Sequence, residues 1–231
     1  ILWAGLSFLS PAIPNPVSWD MKAQSFTVFD EGGRAIFAKD FPFIRDGEYV
    51  ISVDSREGGR VAFADLDMDG VKEVLIGVAN AYFNPAMGVF AYGADGRERF
   101  VVRPQHRVTF GSKTYAGPWM PYHLFVAGSG DALSIYIAFI GADEFPSLLL
   151  EVDGQGRVRS EYWSNGYIKW VTRAAWRGRD ALFVGATHND THGGSVAIFP
   201  DGRASGSAPA LQDNYRCTSC APEGPAEFLV F

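Results

Sequence analysis

The feature that most constrains the fold is a strand–turn–strand pattern that recurs along the chain. Each copy has an apolar run, a turn that contains Asp and ends in Gly-Arg, and a second run. The copies occupy residues 25–37, 88–100, 148–160 and 195–205. Asp and Gly between alternating apolar runs are a strong short-range signal for a β-hairpin. The pattern therefore predicts repeated antiparallel hairpins of one kind.

A second apolar unit precedes each of the last three hairpins. It ends at Gly77, Gly141 and Gly185. The interval from Gly77 to Gly141 is longer than the interval from Gly141 to Gly185 because it contains an insert at residues 105–122. Two strand pairs per unit make a four-stranded antiparallel sheet, the blade of a β-propeller. The repeats predict a single propeller domain of about four blades over residues 17–231. Five blades are the alternative, if residues 49–53 belong to a further blade.

The chain ends on an apolar strand, residues 226–231, that has no partner after it. In propellers a terminal strand often returns to the first blade and removes an exposed sheet edge. We therefore expect this strand to complete the blade that begins with residues 25–37.

Composition supports an all-β globular domain. Apolar residues make up 47% of the chain and charged residues 20%, which excludes disorder. The 26 Gly and 13 Pro residues indicate many turns. The net charge is −6 and no cluster of Lys and Arg stands out, so nucleic acid is not an expected partner.

An acidic loop, A-D-L-D-M-D-G-V-K-E, occupies residues 64–73 between two apolar runs. Ca²⁺ takes roughly six to eight oxygen ligands, and alternating carboxylates on a tight turn supply them. The predicted ligands are Asp65, Asp67, Asp69, the carbonyl oxygen of Val71, and Glu73. An EF-hand is excluded because Ile76 stands where that motif needs its closing Glu. The alternative is a solvated acidic turn without a metal.

This loop, set between two strands, resembles the calcium loop of FG-GAP/VCBS repeats, the blade unit of integrin-like β-propellers. The resemblance covers most of residues 17–231 as a strand pattern, but the acidic motif matches in one unit only. The corresponding turn of the next unit offers Ser129 and Asp131, and the third has Arg177 at this place. One calcium site is therefore expected. The resemblance also implies an extracytoplasmic protein that binds a ligand or supports an assembly.

The two ends of the chain bear on its location. Residues 1–16 are an apolar start followed by prolines, which indicates a leader or the remnant of a membrane anchor. The alternative is an ordinary first strand. Cys217 and Cys220 form a C-x-x-C without the second pair that a zinc site would need, so a disulfide is preferred over free thiols. Both features favour a periplasmic or cell-surface protein, tethered to a membrane upstream.

Candidate ligand contacts come from aromatic residues, because exposed Trp and Tyr side chains are enriched at binding interfaces. The candidates are Trp119, Trp163, Tyr167 and Trp170, and the expected ligand is an unknown protein or glycan. The alternative is that these rings pack between blades. His188 and His192, with Asp190 between them, are either a transition-metal pair or a polar turn.

No G-x-S-x-G, H-E-x-x-H, P-loop or Rossmann pattern occurs in the sequence, so no catalytic residue is assigned. The sequence favours a calcium-stabilised binding or sensor module. The alternatives are a carbohydrate-active or other hydrolytic enzyme that uses the propeller channel, and a structural repeat of a cell-surface protein.

Overall fold

The computed structural model describes residues 14–43, 59–79, 84–141, 145–222 and 224–231. These residues form an all-β structure, as predicted, with helix limited to the short 3₁₀ turns Gly130–Ala132 and Asp213–Tyr215. Across these ranges, no helix has the length and apolar character needed to cross a membrane. Most of the predicted leader, residues 1–13, and the fifth-blade segment, residues 49–53, lie outside the described residues.

The first half of the chain forms two sheets and a separate hairpin. Its strands are β1 (Ser18–Lys22), β2 (Ser25–Phe29), β3 (Ala35–Asp40), β4 (Val61–Ala64), β5 (Glu73–Val78), β6 (Gly88–Tyr92), β7 (Glu98–Val102), β8 (Arg107–Phe110) and β9 (Lys113–Ala116). The first sheet has the order β1-β2-β3 and the second the order β4-β5-β6-β7. The β8-β9 hairpin belongs to the predicted insert. Within each of these sheets and in the hairpin, consecutive strands pair antiparallel, as the hairpin pattern predicts.

The second half contains two more sheets. Their consecutive strands are β10 (Met120–Ala127), β11 (Ser134–Ile140), β12 (Ser147–Val152), β13 (Val158–Ser164), β14 (Ile168–Trp176), β15 (Arg179–His188) and β16 (Gly193–Phe199). The third sheet runs β10-β11-β12-β13 and the fourth begins β14-β15-β16. The second and third sheets thus have the two-hairpin blade pattern that the repeats predict.

The last two strands depart from the prediction. β17 (Gly206–Ser207) pairs in parallel with β13 and β18 (Glu227–Val230) pairs antiparallel with β16. The predicted hairpin at residues 195–205 is therefore wrong, because the chain leaves the fourth sheet after its turn. Ala204 and Ala208 are buried between the third and fourth sheets, and this burial directs the chain there.

The predicted return of residues 226–231 to the first hairpin is wrong as well. β18 instead supplies the fourth strand of the fourth sheet. Its Phe228 packs against the apolar cluster between the third and fourth sheets, so the strand gains a core contact as well as a backbone partner.

Two of the Gly-Arg turns share one hydrogen-bonding arrangement. The carboxylate of Asp30 accepts hydrogen bonds from the backbone and the guanidinium Nε of Arg34, each at 2.9 Å. Asp153 accepts the same pair from Arg157, at 2.9 and 2.8 Å. The amide of Arg34 is the main cause that lowers the pKa of Asp30. Burial raises the pKa of Asp153, but the hydrogen bonds from Arg157 outweigh it and lower that pKa overall. This arrangement accounts for the pairing of Asp with Gly-Arg in these two turns.

Successive sheets pack face to face through three apolar clusters. In β5, Val74 and Ile76 face the first sheet, while Leu75 between them faces the third. In β11, Ile137 faces the second sheet and its neighbour Tyr136 faces the fourth. Side chains of a strand alternate between its two faces, so the second and third sheets are buried on both sides.

Successive sheets are placed in a similar way, each relative to the sheet before it. Strand β10 lies beside both β4 and β14, so the leading strands of three successive sheets are neighbours. The turn glycines Gly96 and Gly156, both with φ of +77°, lie against Phe37 and Phe100 in the last strand of the preceding sheet. A Cβ at these glycines would come within 2.9 Å and 2.5 Å of the aromatic side chains. Only glycine allows the turn to approach the preceding sheet this closely.

Candidate metal site in the β4–β5 loop

The acidic loop connects β4 to β5, and its two ends are joined where Ala64 pairs with Glu73 in the strand ladder. The backbone reverses at Met68 and Gly70, whose φ angles are +65° and +87°. The β12–β13 turn of the third sheet closes over the loop at Gly154, where a Cβ would lie 2.4 Å from the Leu66 carbonyl oxygen. The loop is therefore held from both sides, by its own strands and by the next sheet.

Three of the predicted ligands come together in this loop. Carboxylate oxygens of Asp65, Asp67 and Glu73 all lie within 4.8 Å of one another. Oδ2 of Asp65 accepts a hydrogen bond from the Gly70 amide at 3.0 Å. Its Oδ1 is buried and has no hydrogen-bond partner within the described structure. A buried carboxylate oxygen without a partner is costly, and a bound cation would satisfy it.

Glu73 is the most buried member of the group, with 2% exposure. Its Oε2 accepts a hydrogen bond from the Leu66 amide at 2.7 Å, and its Oε1 accepts one from Arg99 Nη1 at 2.5 Å. Burial is the main cause that raises the pKa of Glu73, and the charge of Asp67 raises it further. The Leu66 amide and Arg99 oppose this rise without cancelling it.

Arg99, in β7, is part of the site although no sequence pattern points to it. Its Nη2 also donates to Oδ2 of Asp67 at 2.6 Å, so one guanidinium bridges two of the three carboxylates. This single positive charge leaves the group with an excess of negative charge. β7 reaches the loop only through the strand order of the second sheet, which the sequence does not specify at the level of single contacts.

Asp69 does not join the group. It is exposed, and its Oδ1 accepts a hydrogen bond from the Val71 amide at 2.8 Å, as Asp commonly does within a turn. The expectation that Asp69 is a direct ligand is not supported by this position. The Val71 carbonyl oxygen stays a predicted ligand.

The residues present fit a hard divalent cation. All side-chain donors are carboxylate oxygens, the ligand type that Ca²⁺ and Mg²⁺ prefer, and no soft or imidazole ligand is among them. Each carboxylate oxygen has a second lone pair beyond its hydrogen bond. A cation would therefore share Asp67 and Glu73 with Arg99 or displace it from them.

The predicted ligand-contact aromatics divide into two pairs. Trp119 and Trp163 are only 3% and 2% exposed and pack edge to face, with ring centroids 5.2 Å apart. They belong to the core between the second and third sheets, so the alternative interpretation holds for them. Tyr167 is half-buried, with Lys169 4.0 Å above its ring, and Trp170 is 39% exposed. This second pair stays accessible to a ligand.

Cys217 and Cys220 form a disulfide, as preferred from the sequence. The segment that carries the disulfide pairs with the insert. The backbone of Cys217 forms an isolated antiparallel β-bridge with that of Phe110, and the Thr218 amide donates a hydrogen bond to the Thr109 carbonyl at 2.8 Å. The disulfide therefore stabilises the segment that fastens the β8-β9 hairpin to the rest of the fold.

His188 is a buried structural residue rather than a metal ligand. Its Nδ1 contacts Thr191 Oγ1 at 2.9 Å, and its Nε2 contacts Asn165 Nδ2 and the Pro209 carbonyl, each at 3.1 Å. Both ring nitrogens are thus engaged by protein groups. The transition-metal pair with His192 is not supported by this arrangement.

Comparison with known families finds no family model that matches the chain, and comparison with curated proteins finds no similar sequence. Among solved structures, the chain is similar to a protein of unknown function from Bacteroides caccae, at 14% sequence identity and a TM-score of 0.44. The similarity covers 88% of this chain, which spans 64% of the length of that protein. A similarity at this level supports no conclusion about fold or function.

Proposed function

We propose that the chain is a calcium-stabilised β-propeller that acts as a binding module outside the cytoplasm. The observation that carries this proposal is the group of Asp65, Asp67 and Glu73, whose oxygens lie within 4.8 Å of one another around the unpartnered Oδ1 of Asp65. A cation there would compensate the negative charge of the carboxylates that Arg99 does not neutralise. It would also join the loop to β5, and so stabilise the folded state in proportion to its binding.

The propeller arrangement is supported by the way the sheets follow one another. Neighbouring leading strands and the repeated turn-to-sheet contacts at Gly96 and Gly156 are typical of blades placed around an axis. The proposal requires the fourth sheet to approach the first and close the ring.

Location and partner rest on separate observations. The Cys217–Cys220 disulfide favours an oxidising compartment such as the periplasm or the cell surface. Tyr167 and Trp170 remain accessible on the fourth-sheet side of the molecule and are proposed contacts for a protein or glycan ligand.

The calcium site is tested by Asp67→Asn, with Asp69→Asn as the matched control because Asp69 lies in the same loop but outside the carboxylate group. At saturating calcium we expect Asp67→Asn to lower the melting temperature by about 5 °C or more, since a well-bound ion adds roughly 2–3 kcal/mol. With a chelator the loss should be small, because the Asp67–Arg99 pair is solvent-exposed and worth about 1 kcal/mol or less.

Thermal unfolding of both variants and the wild type, each with calcium and with chelator, gives the answer. Asp69→Asn should melt close to the wild type in both conditions. Equal losses for Asp67→Asn in calcium and in chelator would show that its carboxylate does not act through a metal.

A further inference from the structure

The insert at residues 105–122 builds a cleft that the acidic loop does not touch. The cleft has a volume of about 340 Å³ and lies between the insert and the second sheet. Its main lining residues are Met87, Arg103, Pro104, Gln105, Arg107 and Trp119. In repeat proteins, insertions in one repeat lie on one face, often the binding face.

The charge of this cleft is opposite to that of the chain. The described residues that line it include two arginines and no carboxylate, although the protein carries 26 acidic and 20 basic residues. Arg107 is exposed, and its side chain makes no ion pair or hydrogen bond within the described part of the chain. Two guanidinium groups in one cleft form a positive site on an otherwise acidic protein.

Arg103 is fixed in place by contacts that leave part of its guanidinium available. Its Nε donates to the carbonyl oxygens of Ala86 and Met87 at 3.3 and 3.1 Å, and its Cζ lies 5.0 Å from the centre of the Phe90 ring. The two Nη groups make no hydrogen bond in the described structure. A guanidinium held in this way presents its remaining N–H groups with little loss of side-chain entropy on binding.

The part of the lining formed by Trp119 is also held firmly. The indole Nε1 of Trp119 donates to the His106 carbonyl at 3.1 Å, which ties the two ends of the insert together. The Gly111 amide donates to the Arg216 carbonyl at 2.9 Å, next to the disulfide segment. The cleft is therefore preformed, as ligand sites usually are.

We propose that this cleft binds a carboxylate-bearing organic anion of about the size of a disaccharide or dipeptide. Arg103 and Arg107 would pair with the carboxylate, since guanidinium groups match its geometry with paired hydrogen bonds. Pro85 and Pro118, which also line the cleft and are less buried, would contact the apolar part of the ligand. The inference rests on the proposed binding function, whose ligand class it names, and is independent of the calcium loop.

Calorimetric titration with digalacturonate, the dipeptide Glu-Glu and neutral maltose tests this inference and distinguishes an acidic sugar from an acidic peptide. At least one acidic probe should bind with a Kd of about 1 mM or below, and maltose should not. Arg107→Gln should weaken that binding about tenfold or more, because a charge-assisted hydrogen bond is lost. Arg103→Gln should weaken it as well. Arg179→Gln, the same charge change at an exposed position of β15, should leave it unchanged.

Absence of binding by both acidic probes would overturn the inference. So would an equal loss of affinity in Arg107→Gln and Arg179→Gln, because that result would indicate a general charge effect. The calcium-dependent melting shift is measured on the same preparations. If the acidic probes do not bind but calcium still raises the melting temperature, this inference fails while the calcium site stands. If a probe binds but calcium has no effect on melting, the calcium site fails while this inference stands.

Discussion

Glu73→Ala is expected to lower the free energy of unfolding by about 2–3 kcal/mol even in the presence of a chelator. The substitution removes the acceptor of the buried Leu66 amide and one carboxylate partner of Arg99. Arg99 keeps Asp67 and is partly exposed, so the loss stays below that of a fully buried ion pair. Urea unfolding of the variant and the wild type in chelator measures this difference. In calcium the difference should be larger, because the variant also loses a metal ligand.

Two control variants separate these effects. Glu73→Gln keeps an oxygen for the Leu66 amide, so it should lose less stability in chelator than Glu73→Ala and lose the calcium response to the same degree. Glu98→Gln removes an exposed acid from β7 and should change little. If Glu73→Ala unfolds at the wild-type urea concentration in chelator, the buried hydrogen bond and ion pair do not support the loop as described.

Trp163→Ala is expected to cost about 3–5 kcal/mol, the range found when a large buried aromatic side chain is removed. Trp163 is 2% exposed, contacts Trp119 edge to face, and lies in the cluster between the second and third sheets. Its removal leaves a cavity in the core between the second and third sheets. Denaturant unfolding monitored by far-ultraviolet circular dichroism measures the loss.

Trp170→Ala is the matched control for this prediction. Trp170 is 39% exposed, so its removal should cost less than half as much. Similar losses for the two variants would mean that the burial of Trp163 does not determine its contribution.

Local sequence patterns predicted three of the four hairpins, because the information needed for each lies within a few residues. The Asp30–Arg34 and Asp153–Arg157 turns form through contacts inside the turn itself. The choice of partner for the last strands was not predictable in the same way. β18 joins β16 and β17 joins β13 because of apolar contacts between residues far apart in sequence, and an apolar strand does not specify which free edge it will occupy.

The candidate site shows the same limit. The spacing of Asp65, Asp67 and Glu73 was sufficient to predict that their carboxylates meet, since all three belong to one short loop whose turn brings them together. The sequence did not predict that Asp69 would turn to the Val71 amide, because the same residue type suits both roles. Arg99 was missed because it is 26 residues from Glu73 and reaches it through two strand pairings.

The most direct test of the central claim is the metal content of the purified protein, combined with its thermal unfolding in calcium and in chelator. We predict about one calcium ion per chain and a melting temperature about 5 °C or more higher in calcium, from the free energy of binding to the folded loop. No bound metal and identical melting in both conditions would contradict the proposed calcium site. The group of Asp65, Asp67 and Glu73 would then be an acidic turn that Arg99 and the Leu66 and Gly70 amides stabilise without a metal.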